Sequence, residues 1–301
     1  MGERVLVSVV MITYGHEKYI RQAIEGVLMQ EGDFDLELVI ANDCSPDNTD
    51  AVVQDVLSHH SNAHWIRYVR HEKNIGMMPN FIFALQQAKG KYVALCEGDD
   101  YWTDPHKLQK QVDFLEANSD YAMCTHVAKE VNEIINTEHF FPIIIQDTSK
   151  RIEDYLSYNL TATCSLIFRR EYIKEIPKWF TSVMFGDWAL MLFIFYRSKK
   201  KMMILQHCMS VYRINDGSIH GSLKKDIKSL IKAYKIHLDF IELIDKKLFL
   251  KNEYQKYILK KKQNTYLIIE KFYKKESSLM TYKYKLLKLI CKIKLVYYKN
   301  D

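Results

Sequence analysis

Three carboxylates crowd into four positions at Glu97-Gly98-Asp99-Asp100, directly after the short apolar run 91–96. Like charges at that spacing repel, so something must offset them. Two arrangements do so: a hard divalent ion with oxygen ligands, Mn2+ or Mg2+, or a turn whose acids cap the next helix. Other polar groups recur in the same setting, each just past an apolar run. Thr13-Tyr14 follows 5–12, Asn42-Asp43 follows 36–41, and Lys73, Asn74 and Gly76 follow 65–69. Together these groups have what a nucleotide needs. A ring stacks on the base, Asp43 accepts from a base N–H, and a cation bridges the acids to a diphosphate. Taken singly, each has a plainer role: Tyr14 as an edge aromatic, Asp43 as a turn former.

The elements that must position these groups follow from periodicity. Residues 5–12, 36–41, 65–69 and 91–96 are short, rich in Val, Ile and Leu, and lack a helical repeat, so they read as buried strands. Between them, Ile20, Ala23, Ile24, Val27 and Leu28 recur at helical spacing, with further helices to about His60, over 79–88 and over 105–117. Asn48 or Thr49 is the expected cap of the second helix. Strand and helix thus alternate four times, which predicts an α/β domain with a mainly parallel sheet. Ligands of such sheets gather at the carboxyl ends of the strands. A further strand is expected over 121–127. Beyond it the pattern loosens: irregular or hairpin-like over 132–150, a short helix over 151–158, and a strand over 163–168 followed by a helix opening at Arg169. Gly186-Asp187-Trp188 then starts an apolar helix, a strand covers 202–212, and a polar loop runs to Gly221. From residue 223 onward there is no Gly or Pro, and two or three long helices are expected.

Composition narrows the class. With 301 residues, 48% hydrophobic and 27% charged, the chain suffices for a large domain over 1–221 and an appendage over 222–301. The net charge of +6 is unevenly spread. After Gly221 come 21 Lys, no Arg and eight acids, a balance of +13, which leaves −7 for the remainder. No Gly-x-Gly-x-x-Gly follows the first strand, which argues against a dinucleotide-binding dehydrogenase, and no P-loop is present. Six scattered cysteines without Cys-x-x-Cys point to reduced thiols and a cytoplasmic protein, rather than a disulfide frame or zinc site. No run reaches the ~18 apolar residues of a spanning helix. The first residues lack a signal peptide's basic start and cleavage site.

Five segments in order resemble family 2 glycosyltransferases of the GT-A fold: Ser8-Val-Val-Met-Ile-Thr-Tyr14; Glu37-Leu-Val-Ile-Ala-Asn42-Asp43-x-Ser45-x-Asp47-x-Thr49; Asn74-x-Gly76 with Asn80; Glu97-Gly-Asp-Asp100-x-Trp102; and Pro105-x-Lys107-Leu-x-x-Gln111. The resemblance covers residues 5 to about 220. It implies a Rossmann-like catalytic domain and inverting transfer from a nucleotide sugar, commonly with a divalent metal. By the same resemblance, Thr13 and Tyr14 lie along the nucleoside and Asp43 reads the base imide. Lys73, Asn74 and Gly76 shape the ribose and diphosphate side. Glu97-Gly98-Asp99 takes the family's Asp-x-Asp place, and Asp100 extends it. Metal holding is expected to be shared by Asp99 and Asp100, with Asp99 ahead. Asp187 resembles the family's catalytic base, which deprotonates the acceptor hydroxyl; its plainer role is a helix cap. Tyr212-Arg213 to His220 resembles the closing loop, with Arg213 or His220 approaching the diphosphate or metal. Trp102, Trp188 and Cys164 are candidates for the sugar or acceptor pocket, against simple burial. The donor is then a UDP-sugar, with dTDP offering the same imide. The acceptor is a glycan or lipid-linked hydroxyl in surface polysaccharide assembly.

The tail lies outside that resemblance. Leu286, Leu287, Leu289 and Ile290 interleave with Lys283, Lys285, Lys288 and Lys292, which fits docking to an anionic membrane at the inner face of the cell. It fits equally a helical bundle packed on the catalytic domain or on a second subunit. No recognised RNA or DNA motif accompanies the charge, so nucleic acid is not expected as a partner. Two rival functions are a sugar nucleotidyltransferase, which would want more glycine after the first strand, and a non-catalytic scaffold.

Overall fold

The computed structural model describes residues 5–215, 227–248, 252–274 and 278–297. Four apolar runs form strands β1 (Val5–Thr13), β2 (Phe34–Asn42), β3 (Ile66–Arg70) and β4 (Tyr92–Leu95). They pair in parallel, in the order β3-β2-β1-β4. All four residues of β4 are buried, as a strand covered on both faces requires. The connecting helices are α1 (Ile20–Leu28), α2 (Thr49–His59) and α3 (Met77–Gln87). In α1 the residues at helical spacing, Ile20, Ala23, Ile24, Val27 and Leu28, are the buried ones. Gly26 shares that face because a Cβ there would stand 2.9 Å from the Trp102 backbone nitrogen.

The sheet continues with β5 (Tyr101–Trp102), β6 (Tyr121–Asn132), β7 (Thr137–Phe141), β8 (Thr148–Lys150), β9 (Ile167–Arg169) and β10 (Lys201–Ile214). Beyond β4 the order is β9-β6-β10-β5, with β9 antiparallel to both neighbours and β10 parallel to β6. Helix α4 (Lys107–Ala117) leads into β6. The sheet is mostly parallel and Rossmann-like, as expected. Two local expectations differ. The strand foreseen over 163–168 begins as a 3-10 turn, Thr163–Ser165, and Arg169 opens only a further 3-10 turn, Arg170–Ile173. One cause is that Arg169 is still paired as a strand residue with Tyr92.

The chain folds as two compact units. The sheet and its helices lie in the first, Met1–Arg151 with Leu160–Ser182 and Arg197–Ile214. The second comprises Ile152–Asn159, Val183–Tyr196 and Asn215–Asp301, so the helical unit draws on two segments from before residue 221. It contains α5 (Ile152–Ser157), most of α6 (Gly186–Ser198), α7 (Ile227–Leu248), α8 (Asn252–Tyr273) and α9 (Ser278–Tyr297). Those early segments join it through side chains: Trp188 packs on Phe240 at 4.8 Å between ring centres, and its Nε1 donates to the Tyr155 carbonyl at 2.7 Å. The long helices share a core of Ile231, Leu238, Leu259, Tyr266, Ile269 and Tyr284. Among the described residues no helix is long and apolar enough to cross a membrane.

Candidate functional site

The carboxyl end of β1 is the hinge of the site. Thr13 accepts on its carbonyl from Asp43 N–H (3.0 Å), which ties β1 to the end of β2. Its hydroxyl lies 3.2 Å from His16 Nδ1, and His16 Nε2 lies 3.9 Å from Asp99 Oδ2. Gly98 donates its N–H to the Ile12 carbonyl at 3.0 Å. A Cβ at Gly98 would stand 2.7 Å from Thr13 Oγ1 and 2.9 Å from His16 Nδ1, so the acid loop approaches β1 in a way that only glycine permits. Thr13, Asp43, Gly98 and Asp99 are therefore brought together at one edge of the sheet.

Asp43 is buried, and both carboxylate oxygens are engaged. Oδ1 accepts from Ile75 N–H at 2.7 Å and Oδ2 from Gly76 N–H at 2.9 Å. Gly76 has φ +93°, in the left-handed region where glycine carries no Cβ penalty. Asp43 thus fixes the loop that carries Lys73 and Asn74, both exposed. Tyr14 is also exposed, at 49%. These three side chains are open to solvent, in contrast to the buried acid.

The loop after β1 is locked to the loop after β2 by a ladder of side-chain oxygens. Ser45 Oγ accepts from Gly15 N–H (3.0 Å), Thr49 Oγ1 from His16 N–H (2.9 Å) and Asp47 Oδ2 from Glu17 N–H (3.0 Å). Glu17 Oε2 accepts in return from Asn48 N–H at 2.9 Å. Burial pushes the Asp47 carboxyl up, but the bonds it accepts from Thr49 and Glu17 outweigh this and hold it below the usual range. The spacing Ser45-x-Asp47-x-Thr49 is therefore that of three oxygens meeting successive N–H groups. From the sequence, Asn48 or Thr49 is the expected cap of α2. Neither side chain does so; Asp47 Oδ1 takes the Thr49 N–H at 3.1 Å.

The acids divide by burial. Glu97 and Asp99 are partly exposed, whereas Asp100 is fully buried. Asp100 Oδ1 accepts from Arg213 N–H at 2.8 Å, and Oδ2 has no hydrogen-bond partner among the described residues. Burial, reinforced by the Asp99 and Glu97 charges, pushes the Asp100 carboxyl well above its usual range. Arg213 is the other half of this anchor. Its Nη1 donates to the Asp99 carbonyl at 2.7 Å, it also bonds Gln22, and its guanidinium lies 4.4 Å from the Tyr101 ring centre and 5.1 Å from that of Tyr19. The guanidinium thus holds the acid loop. His16, absent from the expected site residues, is the side chain nearest to joining Thr13 and Asp99. Its three-residue offset from Thr13 was the available signal.

A divalent ion of the kind the resemblance implies meets a sparse donor set here. Among the described residues, no three His, Cys, Asp or Glu side chains converge as a cage. Asp100 keeps one buried oxygen without a partner among the described residues, and Asp99 and Glu97 stand partly exposed beside it. That set fits a hard ion held by one or two carboxylates and completed by substrate phosphate oxygens. His220 lies outside the described residues.

The pocket candidates are core residues. Trp102 is 2% exposed, and its Nε1 donates to the Cys164 carbonyl at 2.8 Å. Cys164 is itself buried, 3.3 Å from Ser210 Oγ. Trp188 is 3% exposed against Phe240. All three side chains are buried, and for the two indoles the gain from covering large apolar surface accounts for that placement. Below Trp102 lies the reason for the Lys107–Gln111 spacing. Lys107 is fully buried, with Nζ 3.9 Å from the Trp102 ring centre and 2.8 Å from Gln111 Oε1. Gln111 Nε2 donates to the Ser165 carbonyl at 2.9 Å. Burial lowers the Lys107 amine to about 8.

Asp187 stands in the first turn of α6, in the second unit, partly buried. Its Oδ2 accepts from Asn159 Nδ2 at 2.8 Å.

A mostly parallel Rossmann-like sheet with acids gathered at its carboxyl edge defines a GT-A architecture. The profile of glycosyl transferase family 2 matches residues 8–176, more than half of the sequence, and the chain belongs to that family. An uncharacterized protein of Mycobacterium tuberculosis is 34% identical over 220 residues, covering 73% of this chain and 62% of the relative. The chain therefore spans less than two thirds of that relative's length. TuaG of Bacillus subtilis, assigned as a glycosyltransferase of teichuronic acid biosynthesis, is 26% identical, covering 76% of this chain and 87% of its own. In structure, residues 1–349 of S. aureus TarS, solved in complex with UDP, superpose with TM-score 0.63 at 18% identity over 86% of this chain and 71% of theirs. The mannosyltransferase PcManGT of Pyrobaculum calidifontis, solved with GDP-Man and Mn2+, gives 0.57 at 15% identity over 99% and 86%.

Proposed function

We propose that this chain is an inverting glycosyltransferase that moves a sugar from a uridine- or thymidine-diphosphate donor to a hydroxyl of a glycan or lipid-linked acceptor, in surface polysaccharide assembly. The observation that carries the reading is the junction at Thr13. One residue touches the strand end bearing Asp43 and the loop bearing Asp99, where the sheet places its ligands. TarS, solved with UDP and with UDP-GlcNAc, supports the nucleotide, and TuaG supports the pathway class.

In this reading Tyr14 stacks on the base. Asp43 accepts the imide N–H, because a carboxylate oxygen that holds one backbone N–H keeps a second lone pair. Lys73 and Asn74 line the diphosphate. Asp99 and Asp100, with Glu97 beside them, would hold a divalent ion, and such an ion would offset charge developing on the leaving diphosphate. Asp187 takes the proton from the acceptor hydroxyl as that oxygen attacks the anomeric carbon opposite the diphosphate. Attack from the far side inverts the anomeric centre.

Transfer and binding separate the roles. UDP at 100 times its dissociation constant should stabilise the protein by about 2.7 kcal/mol, readable as a thermal shift, and GDP should not. Asp187→Asn should keep that shift and lose transfer. A chain that responds to no uridine or thymidine nucleotide, or an Asp187→Asn variant that still transfers, overturns the assignment.

A further inference from the structure

Helix α9 is apolar on two opposite faces. One face, with Tyr284, Leu287, Cys291 and Leu295, belongs to the core of the helical unit. On that side Lys288 is bound to Glu270 at 2.5 Å. The other face is open: Leu279 is 77% exposed, Tyr282 69%, Leu286 59%, Leu289 51% and Ile290 40%. At about 100° per residue these five form a stripe roughly 100° wide, centred opposite the packed face. Exposed lysines flank it on both sides, Lys285 and Lys292 along one edge and Lys283 and Lys294 along the other. The helix carries five lysines and no acid.

That arrangement selects among occupants. A second copy of α9 would set lysine against lysine along both edges of the stripe, with no acid on either helix to relieve them. A lipid surface of negative charge meets both features at once. The stripe enters the acyl boundary, and the flanking lysines reach the headgroups through their own apolar stems. We propose that α9 lies flat on an anionic membrane, with Leu279, Tyr282, Leu286, Leu289 and Ile290 inserted. This proposal is independent of the transfer chemistry, since none of these residues belongs to the acid site.

The test is flotation of the full chain with vesicles of phosphatidylcholine alone and with a third phosphatidylglycerol. The protein should rise with the anionic vesicles and stay behind with the neutral ones, and about 1 M NaCl should release it. Leu286→Glu with Leu289→Glu should weaken the association by about tenfold or more, with the unfolding midpoint unchanged because both side chains are exposed. Lys283→Gln with Lys285→Gln and Lys292→Gln should abolish the preference for anionic lipid while keeping the fold. Three results overturn the proposal: no flotation of the natural chain on anionic vesicles, equal flotation of the Glu variant, or a sedimenting dimer that the Glu variant dissociates. The last would assign the stripe to a second copy.

Discussion

Replacing Asp43 with alanine removes the acceptors of two backbone N–H groups, those of Ile75 and Gly76, at 2.7 and 2.9 Å. Hydrogen bonds to an ionised acceptor contribute about 1.5–3 kcal/mol each. Ile75 and Gly76 are only partly buried, so water can reach their N–H groups once the loop loosens, and the lower end applies. The expected loss is therefore about 3 kcal/mol for Asp43→Ala and about half that for Asp43→Asn, which keeps one carbonyl acceptor. Urea unfolding followed by circular dichroism measures it, the midpoint falling at unchanged slope. Hydrogen exchange should report the same loss locally, with the Ile75 and Gly76 amides becoming labile in Asp43→Ala before the sheet does. UDP affinity supplies the independent arm: Asp43→Asn should lose most of it while the loop stays largely in place. A stability change for Asp43→Ala below about 0.5 kcal/mol, within the range of ordinary surface substitutions, refutes the structural part of the argument. Full UDP affinity in Asp43→Asn refutes the part about base recognition.

Two other changes probe the neighbourhood of the acids. Gly98→Ala would force Cβ to within 2.7 Å of Thr13 Oγ1, so a cost of about 1–3 kcal/mol is expected, together with weaker nucleotide binding; urea unfolding and titration with UDP check both. Lys107 gives a pH signature: burial lowers its amine from 10.5 to about 8 in the folded chain. Below pH 8 both states hold the proton. Between pH 8 and 10.5 the unfolded chain holds it and the folded chain does not, so folding gains stability as pH rises, by about 3 kcal/mol across the window. Lys107→Met should lack that gain, which parallel urea titrations at pH 7.5 and 10 would reveal; identical slopes for variant and natural chain would contradict the buried amine.

The parallel half of the sheet was legible because β1, β2 and β4 are short unbroken apolar runs that end in polar residues, and α1 shows its buried stripe outright. The acid loop was legible as a polar cluster at the carboxyl edge of the sheet. Its internal division was not, because the inward turn of Asp100 depends on Arg213, whose N–H arrives from 113 positions away. Trp102 looked available for a sugar, since adjacent sequence cannot reveal that Lys107 and Gln111 turn their polar ends beneath it. The Ser45, Asp47 and Thr49 ladder was hidden for the same reason: its partners are the N–H groups of Gly15, His16 and Glu17 on another loop. In the tail, the mixture of Lys with Leu was visible, but which apolar face of α9 is spent on packing depends on α8.

The Arg213 anchor also sets an order of events during synthesis. Asp99 and the residue that grips its carbonyl are 114 positions apart. At about 5–20 residues per second, a ribosome needs roughly 6–23 s to cover that gap. Throughout that interval β1 to β4 can assemble, while the acid loop has its glycine contact with Thr13 but not its far clamp. The geometry of the acids is thus completed late, by a strand that also joins β6 and β5. A nascent sheet can form before it carries a finished site.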